Sequence, residues 1–393
     1  MASQYFFSRD TVVYAHVPLA SAGTKNMFFE LPVLDGFSFS QATNATEITL
    51  NQAQSTAGTS LRARQMFNDS YAPAEWSFST YMSPFTSAGG TKGTGGKASA
   101  TDGAHCEVSE ALWAMFFDQT VDGALTSDGT DLNISPSNSN KATVGVFDLY
   151  FVLGGAQQSD RVYTSTEGSG SQELVYKIAD CSVNEISFDF DIDGIATVNW
   201  SGMGKIITDY GALTFGSGAY ATTLVYEGVS NTTGYIRNRV SDLTITPSSL
   251  NSGTAYVSTL TGGNITMSNN LTYLTPETLG QVNQPLGHVT GTRSIGGNFT
   301  CYLDNESNAS ASMFEDIIEA TTDITNSVSL AFDIGASSTP YLNLTMPTCH
   351  LEVPTHSIDD VISLETNFHA LPSSISGTNE ITTFAFFGKD VNA

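Results

Sequence analysis

Alternation of apolar and polar residues is the dominant pattern along this chain. In Glu185–Asp193 the odd positions are Glu, Ser, Asp, Asp and Asp, while the even ones are Ile, Phe, Phe and Ile. A period of two puts the carboxylates on one face of a strand and the apolar side chains on the other. Asp193-Gly194 then predicts a tight turn, because Gly tolerates the positive φ such turns require. Ile195–Trp200 is its return strand. Similar runs predict strands at Phe28–Leu34, Thr46–Leu50, Trp76–Met82, Val144–Leu153, Leu174–Ile178 and Leu243–Thr246. Others fall at Ile265–Met267, Gly297–Leu303, Val328–Ile334, Tyr341–Met346 and Thr382–Phe387.

Two segments carry helical spacing instead, Ala111–Phe117 and Met313–Ile318. Ser312 and Glu315 stand at capping-box spacing in the second. Met313, Phe314, Ile317 and Ile318 would form its buried stripe. Many strands with one helix in each half predict a mainly β fold, two tandem β-sandwich or barrel domains with one flanking helix each.

The landmarks recur in order. Cys181 and Trp200 are nineteen residues apart, as are Cys349 and Phe368. WSFSTY (Trp76–Tyr81) is echoed by GNFTCY (Gly297–Tyr302), superposing Phe78 on Phe299 and Tyr81 on Tyr302. Repeats of this length indicate a duplicated and fused domain rather than a solenoid. The first domain spans 1–230, with an amino-terminal arm and long loops; the second spans 231–393, with a carboxy-terminal arm. Lys205–Tyr235, rich in Gly, reads as the connection between them. Ser83–Gly103 and Asp122–Asn140 are polar excursions that only the first half carries.

Charge narrows the possible partners. The chain has 39 acidic and 14 basic residues in 393, a formal net charge of −25. Holding nucleic acid by its phosphates requires Lys and Arg, which are scarce here. Anionic membrane is disfavoured for the same reason, and no run approaches the roughly 20 apolar residues of a membrane span. MASQYFFSRDTVVYAHV lacks the basic start and unbroken apolar core of a signal peptide. The four cysteines, Cys106, Cys181, Cys301 and Cys349, are far apart. That spacing supports neither a zinc site nor a disulfide framework. Cys181 and Cys349 match as core residues.

Chemical motifs fail on inspection. DFDIDG (Asp189–Gly194) opens like a calcium loop, but its twelfth position is Trp200 rather than Glu and its flanks alternate as strands. GGTKGTGGKAS (Gly89–Ser99) has Thr91 and Ala98 where a phosphate loop needs Gly and Ser or Thr. Pro354 between His350 and His356 rules out a helical metal pair. No nucleophile or acid–base constellation emerges, so the expectation is a protein without cofactor and without catalysis. The face carrying Glu185, Asp189, Asp191 and Asp193 is the sharpest local feature, since like charges along one strand repel.

Asn264–Asp304 supplies a family likeness through Leu274-Thr275-Pro276-Glu277, Leu279-Gly280, Gly287 and Gly291-Thr292-Arg293-Ser294, leading into Phe299-Thr300-Cys301-Tyr302-Leu303. Val198-Asn199-Trp200-Ser201-Gly202 adds to it. These segments resemble the tail tube proteins of long-tailed bacteriophages. The resemblance implies rings of six tube domains stacked into a hollow conduit for DNA, so that three duplicated chains make one ring. It also implies a virion tail component assembled in the host cytoplasm, meeting tape-measure, terminator and baseplate proteins. Glu185, Asp189, Asp191 and Asp193 would line the channel, and the long loops and terminal arms would join ring to ring. An initiator ring of the tail or baseplate, or a β-rich adhesin or carbohydrate-binding protein, is the alternative expectation.

Overall fold

The structure is a computed structural model describing residues 5–17, 27–48, 65–86, 105–107, 109–117, 125–127, 132–134, 144–155, 162–164, 173–214, 224–225, 235–248, 250–279, 282–319, 327–335, 340–375, 377, 379–387 and 389–390. It is mainly β. The first half contributes β1 (Val12–Val17), β2 (Met27–Leu31), β3 (Ser38–Ile48), β4 (Gln65–Tyr81), α1 (Glu110–Phe116), β5 (Phe147–Leu153), β6 (Leu174–Asp191) and β7 (Thr197–Gly204). The second contributes β8 (Asp242–Pro247), β9 (Leu260–Ser268), β10 (Ser294–Tyr302), α2 (Ser310–Glu319), β11 (Ser327–Gly335), β12 (Tyr341–Leu351), β13 (Ser363–Ala370) and β14 (Thr383–Phe387).

The topology repeats. In the first half the antiparallel order is β5-β6-β7-β4-β3. In the second it is β11-β12-β13-β10-β9. Each helix lies between corresponding strands, α1 after β4 and α2 after β10. Strand β6 then pairs with β9 from Glu185↔Ser268 to Asp191↔Gly262, fusing both halves into one sheet. The carboxy-terminal segment crosses back: β14 pairs with Leu132–Ile134, and Lys389–Asp390 with Pro84–Thr86. One buried apolar cluster runs through both halves, and Trp113 of α1 meets Trp200 at 4.8 Å and Phe384 at 4.7 Å. The division at residue 230 rests on the sequence repeat, because sheet and core cross from half to half without a break.

Several expectations need correction. Leu174–Ile178 and Glu185–Asp193 are one strand, β6, which ends at Asp191. The predicted nineteen-residue match is a coincidence of loop length. Phe78 faces Trp200 and Phe299 faces Thr366, so Trp200 corresponds to Thr366 and Phe368 lies two positions further on. Helix α2 begins at Ser310, so Ser312 lies within it and caps nothing. The Ser310 hydroxyl instead donates to the Tyr302 carbonyl (2.7 Å) and accepts from the Asp304 N–H (2.8 Å). Ile318 is half-exposed, leaving Met313, Phe314 and Ile317 as the packed stripe. Strand β1, read as an arm, escaped notice because it is buried on both faces and does not alternate. Its outer side joins a small second core of Tyr14, Phe28, Tyr150, Val152 and Tyr163. The Lys205–Tyr235 connection contributes to that layer through Ile207–Asp209, paired with β6, and Ala212–Thr214, paired with Val162–Thr164.

Strand β6 serves two sheets, so it must bend. Leu174–Ile178 pairs with β5, whereas Ser182–Asp189 pairs with β7; the register shifts between Ile178 and Cys181, and Asp180 adopts φ 50°. Asp148 pins the bend. It accepts from the Asp180 N–H at 3.0 Å, binds the Lys177 ammonium at 2.7 Å and meets His16 Nδ1 at 3.4 Å. Burial alone would raise its pKa, but the hydrogen bonds from His16, Lys177 and Asp180 together hold the carboxyl below its ordinary value. Strand β12 carries a matching irregularity in its pairing with β11. Cys181 and Cys349 sit at the two bends, and each thiol points to the carbonyl three residues back, at 3.4 and 3.8 Å. Burial pushes both thiols up, that of Cys349 to about 12, so they stay protonated and inert.

Two outcomes follow from this packing. Gly202 lies under Trp76, where an added Cβ would stand 2.3 Å from the ring and from the Ser182 carbonyl. Gly202→Ala should therefore cost about 1–3 kcal/mol by overpacking, visible as a lowered Tm. Asp148→Asn should lower the Tm at neutral pH by the equivalent of about 1–3 kcal/mol. Because the folded pKa is depressed, the wild-type advantage is present above the unfolded carboxylate pKa and disappears as pH falls through the folded one. Melting curves of both proteins between neutral pH and pH 3 check this, and a gap that persists in acid counts against the assignment.

Candidate functional site

The fused sheet β3-β4-β7-β6-β9-β10-β13 has two unlike faces. Inward it presents Trp76, Phe78, Trp200, Ile186, Phe188 and Ile265, all buried. Outward it is polar across its whole width. Glu185, Ser187, Asp189 and Asp191 follow one another on β6. Ser77 and Ser79, then Asn199 and Ser201, flank them on one side; Asn264 and Thr266, then Asn298 and Thr300, then Glu365 and Asn367 flank them on the other. The sequence produces this locally, since each of these strands alternates with a period of two and has only one face to bury.

Hydrogen bonds knit the polar face from strand to strand. Ser38 and Ser77 hydroxyls meet at 2.8 Å, and the Ser79 hydroxyl donates to Asn199 Oδ1 at 2.7 Å. The Asn264 amide donates to Asp189 Oδ1 at 2.5 Å, and Thr266 to Asn264 Oδ1 at 2.9 Å. Asn367 donates to Glu352 Oε2 at 2.9 Å, and His369 meets Glu352 Oε1 at 3.3 Å. These contacts, Asn367 first, hold the exposed Glu352 carboxyl below its ordinary pKa. Amide and hydroxyl neighbours thus separate the carboxylates on adjacent strands, which answers the repulsion anticipated along β6. Among the described residues no Lys or Arg side chain lies on the outward face of β3, β4, β7, β9, β10 and β13 or of the Ser182–Asp191 part of β6.

Glu185, Asp189 and Asp191 are brought together on this face as expected. Asp193 is not. It lies in the β6–β7 turn, beyond the end of the strand, where its carboxylate accepts from Arg239 at 3.2 Å. Gly194 takes φ +119° there. Glu75 and Glu365 were missed as members of the face, although each alternates with buried neighbours in its own segment, and Glu352, just past β12, reaches it through Asn367. Their common surface is a matter of strand pairing and is invisible along the chain.

The other flagged residues do separate work. His288 bonds the Ser182 hydroxyl at 3.2 Å, His356 packs edge-on against Phe314, and His350 stands opposite His369. Among the described residues no three His, Cys, Asp or Glu side chains gather as a metal site. Gly89–Ser99 lies outside the described residues, as do most of Ser83–Gly103 and most of Asp122–Asn140. The second of these excursions does contribute Leu125–Ser127 and Leu132–Ile134, a short hairpin beside β14.

Residues 78–370 match the family model for phage tail tube proteins. The chain belongs to that family. The matched span runs from the carboxy-terminal end of β4 to the last residue of β13, and so includes the whole of β6, β7, β9, β10 and β13, five of the seven strands of the polar face. The chain is also 28% identical over 360 residues to the tail tube protein pb6 of Escherichia phage T5, covering 89% of this chain and 69% of that protein. Tail tube proteins are structural rather than enzymatic, and the protein is a component of the phage virion. Among the described residues no helix is long and apolar enough to cross a membrane.

Proposed function

We propose that three chains close into a ring, each supplying two staves, and that the polar face lines the bore through which DNA passes. The observation that carries this reading is the β6–β9 seam. It joins two topologically equivalent halves edge to edge inside one chain, and so is a template for the joint between chains. By the register of the halves, Asn264 corresponds to Ser38, because Asn298↔Asn264 matches Ser77↔Ser38. Asp189 corresponds to Ser357, because Asp189↔Thr197 matches Ser357↔Ser363. Asp189 pairs with Asn264 within the chain. Ser357 therefore pairs with Ser38 of the next chain, and three such joints remove every free edge of the sheet.

The bore's chemistry suits transit without capture. A cationic wall would bind DNA by releasing its counterions. Three chains carry about −75 formal charges (3 × 25), and the bore face mixes carboxylates with neutral amides and hydroxyls. Repulsion there is real but short-ranged, since salt screens it within about 10 Å. Wall and duplex then stay hydrated and slide. Tape-measure, terminator and baseplate proteins are the expected neighbours of such a tube.

Two experiments test this. In a Cys106→Ser background, Ser38→Cys with Ser357→Cys should cross-link through a short thiol reagent to a three-chain product. The two positions lie at opposite edges of one chain's sheet, on β3 and on Thr355–Ser357 beside β13, about 34 Å apart at the usual strand spacing, so the link cannot form within a chain. A product that stops at two chains, or runs on to six, refutes the stoichiometry; no product refutes the joint. Reversing Glu185, Asp189 and Asp191 to Lys should leave tubes intact and make them retain DNA in a salt-dependent way, with fewer ejections per phage. Unchanged ejection removes these residues from the bore.

A further inference from the structure

Two turns at one end of the polar sheet share an aliphatic–aspartate pattern. The β6–β7 turn reads Ile192-Asp193-Gly194-Ile195, and the β12–β13 connection reads Ile358-Asp359-Asp360-Val361. Strand register puts them at equivalent points of the two halves, since Asp189↔Thr197 and Ser357↔Ser363 are corresponding pairs. All four aliphatic side chains face solvent, Ile358 being 82% exposed. The opposite end of the same strands is apolar as well. There the β9–β10 connection exposes Leu279 (99%) and Leu286, beside the projecting β3–β4 ribbon with its exposed Met66 and Phe67. That the ends are opposite follows from the seam, where Asp191 meets Gly262 and Glu185 meets Ser268.

Turn tips ordinarily carry Gly, Asn, Asp, Ser or Pro. Branched aliphatics repeated at two tips add nothing to the folding of one chain, and clustered exposed apolar groups mark contact surfaces. The repeat itself selects the partner. A feature presented once per half, on the same rim, is matched by an object with the same spacing of halves, which is another ring of this chain. Apolar groups at both ends of the same strands give a head-to-tail contact that does not close, the arrangement that produces a filament. The strands bearing the polar face end at these turns, so rings that met elsewhere would leave gaps in the wall.

We infer that the Ile192–Ile195 and Ile358–Val361 turns are the ring-to-ring plugs, seated on the end of the next ring that exposes Leu279 and Leu286. Asp193, fixed by Arg239 at 3.2 Å, and Asp359 keep each plug hydrated until it docks. This inference rests on the tube reading above and assigns its stacking contact.

The test uses the purified full chain, negative-stain microscopy and sedimentation velocity. One variant carries Ile192→Glu with Ile358→Glu, the other Leu279→Glu with Leu286→Glu; all four sites are exposed, and an unchanged Tm verifies folding. Each alone should form closed rings and lose pelletable filaments. Mixed in equal amounts they should stop at ring pairs, because only one live interface remains between them. Full-length filaments from the first variant overturn the inference while leaving the tube reading intact. Single chains from the first variant also overturn it, placing the turns inside the ring. Unpaired rings in the mixture overturn the choice of receiving surface. Should a Glu variant fail to fold, Ile192→Ser with Ile358→Ser replaces it with the same readings. A wild-type chain that never forms filaments overturns the inference together with the tube reading.

Discussion

The hydrogen-bonded joint between β6 and β9 is the contact on which the rest of the molecule depends. Backbone N–H and C=O groups at a sheet edge need partners. Here the edge of one half finds them in the edge of the other. That single ladder turns two sandwiches into one curved wall, aligns the outward side chains of seven strands and leaves the molecule with one free edge on each side. On the proposed reading the remaining edges pair in the same way, so that self-assembly continues folding rather than following it.

Duplication within one chain permits the two halves to differ where identical subunits cannot. The first half covers the outer side of β1, β5 and β6 with Tyr14, Tyr150, Tyr163 and their neighbours, and anchors the bend of β6 through Asp148, Lys177 and His16. Among the described residues, no such aromatic layer covers the corresponding outward positions of the second half, among them Ser329, Ala331, Asp333 and Thr345. Acidic residues on the polar face are also denser in the first half, where Glu185, Asp189 and Asp191 share a strand. The proposed ring of three chains would have six similar staves but three-fold chemistry, inside and out.

Polarity without charge is the working principle of the exposed face. Asn and Thr side chains keep it hydrated, satisfy one another across strands and dilute the carboxylates that set its sign. The same choice explains the low charged fraction of the chain, 13%, since a surface of paired amides and hydroxyls needs few ions to remain soluble. On the proposed reading, the carboxylates of that face repel a passing polyanion, and Lys or Arg would defeat that repulsion.

By itself the sequence determined most of the strand segments and their buried faces, the place of both helices and that the chain carries one plan twice. Period-two alternation and turn chemistry are local, so β5, β7, β10, β11 and β12 were legible from their own residues, as was the clustering of Glu185, Asp189 and Asp191. Only the tertiary structure decided which strands adjoin. It showed that Trp200 matches Thr366 rather than Phe368, that Asp193 leaves the face for Arg239, and that Glu75 and Glu365 join it. Pairing register depends on backbone contacts between residues far apart in the chain, and identical alternation is compatible with many registers. The choice among them is made by bulges, by the room Gly202 leaves for Trp76 and by the packing of Trp113 between the halves, none of which a linear pattern contains.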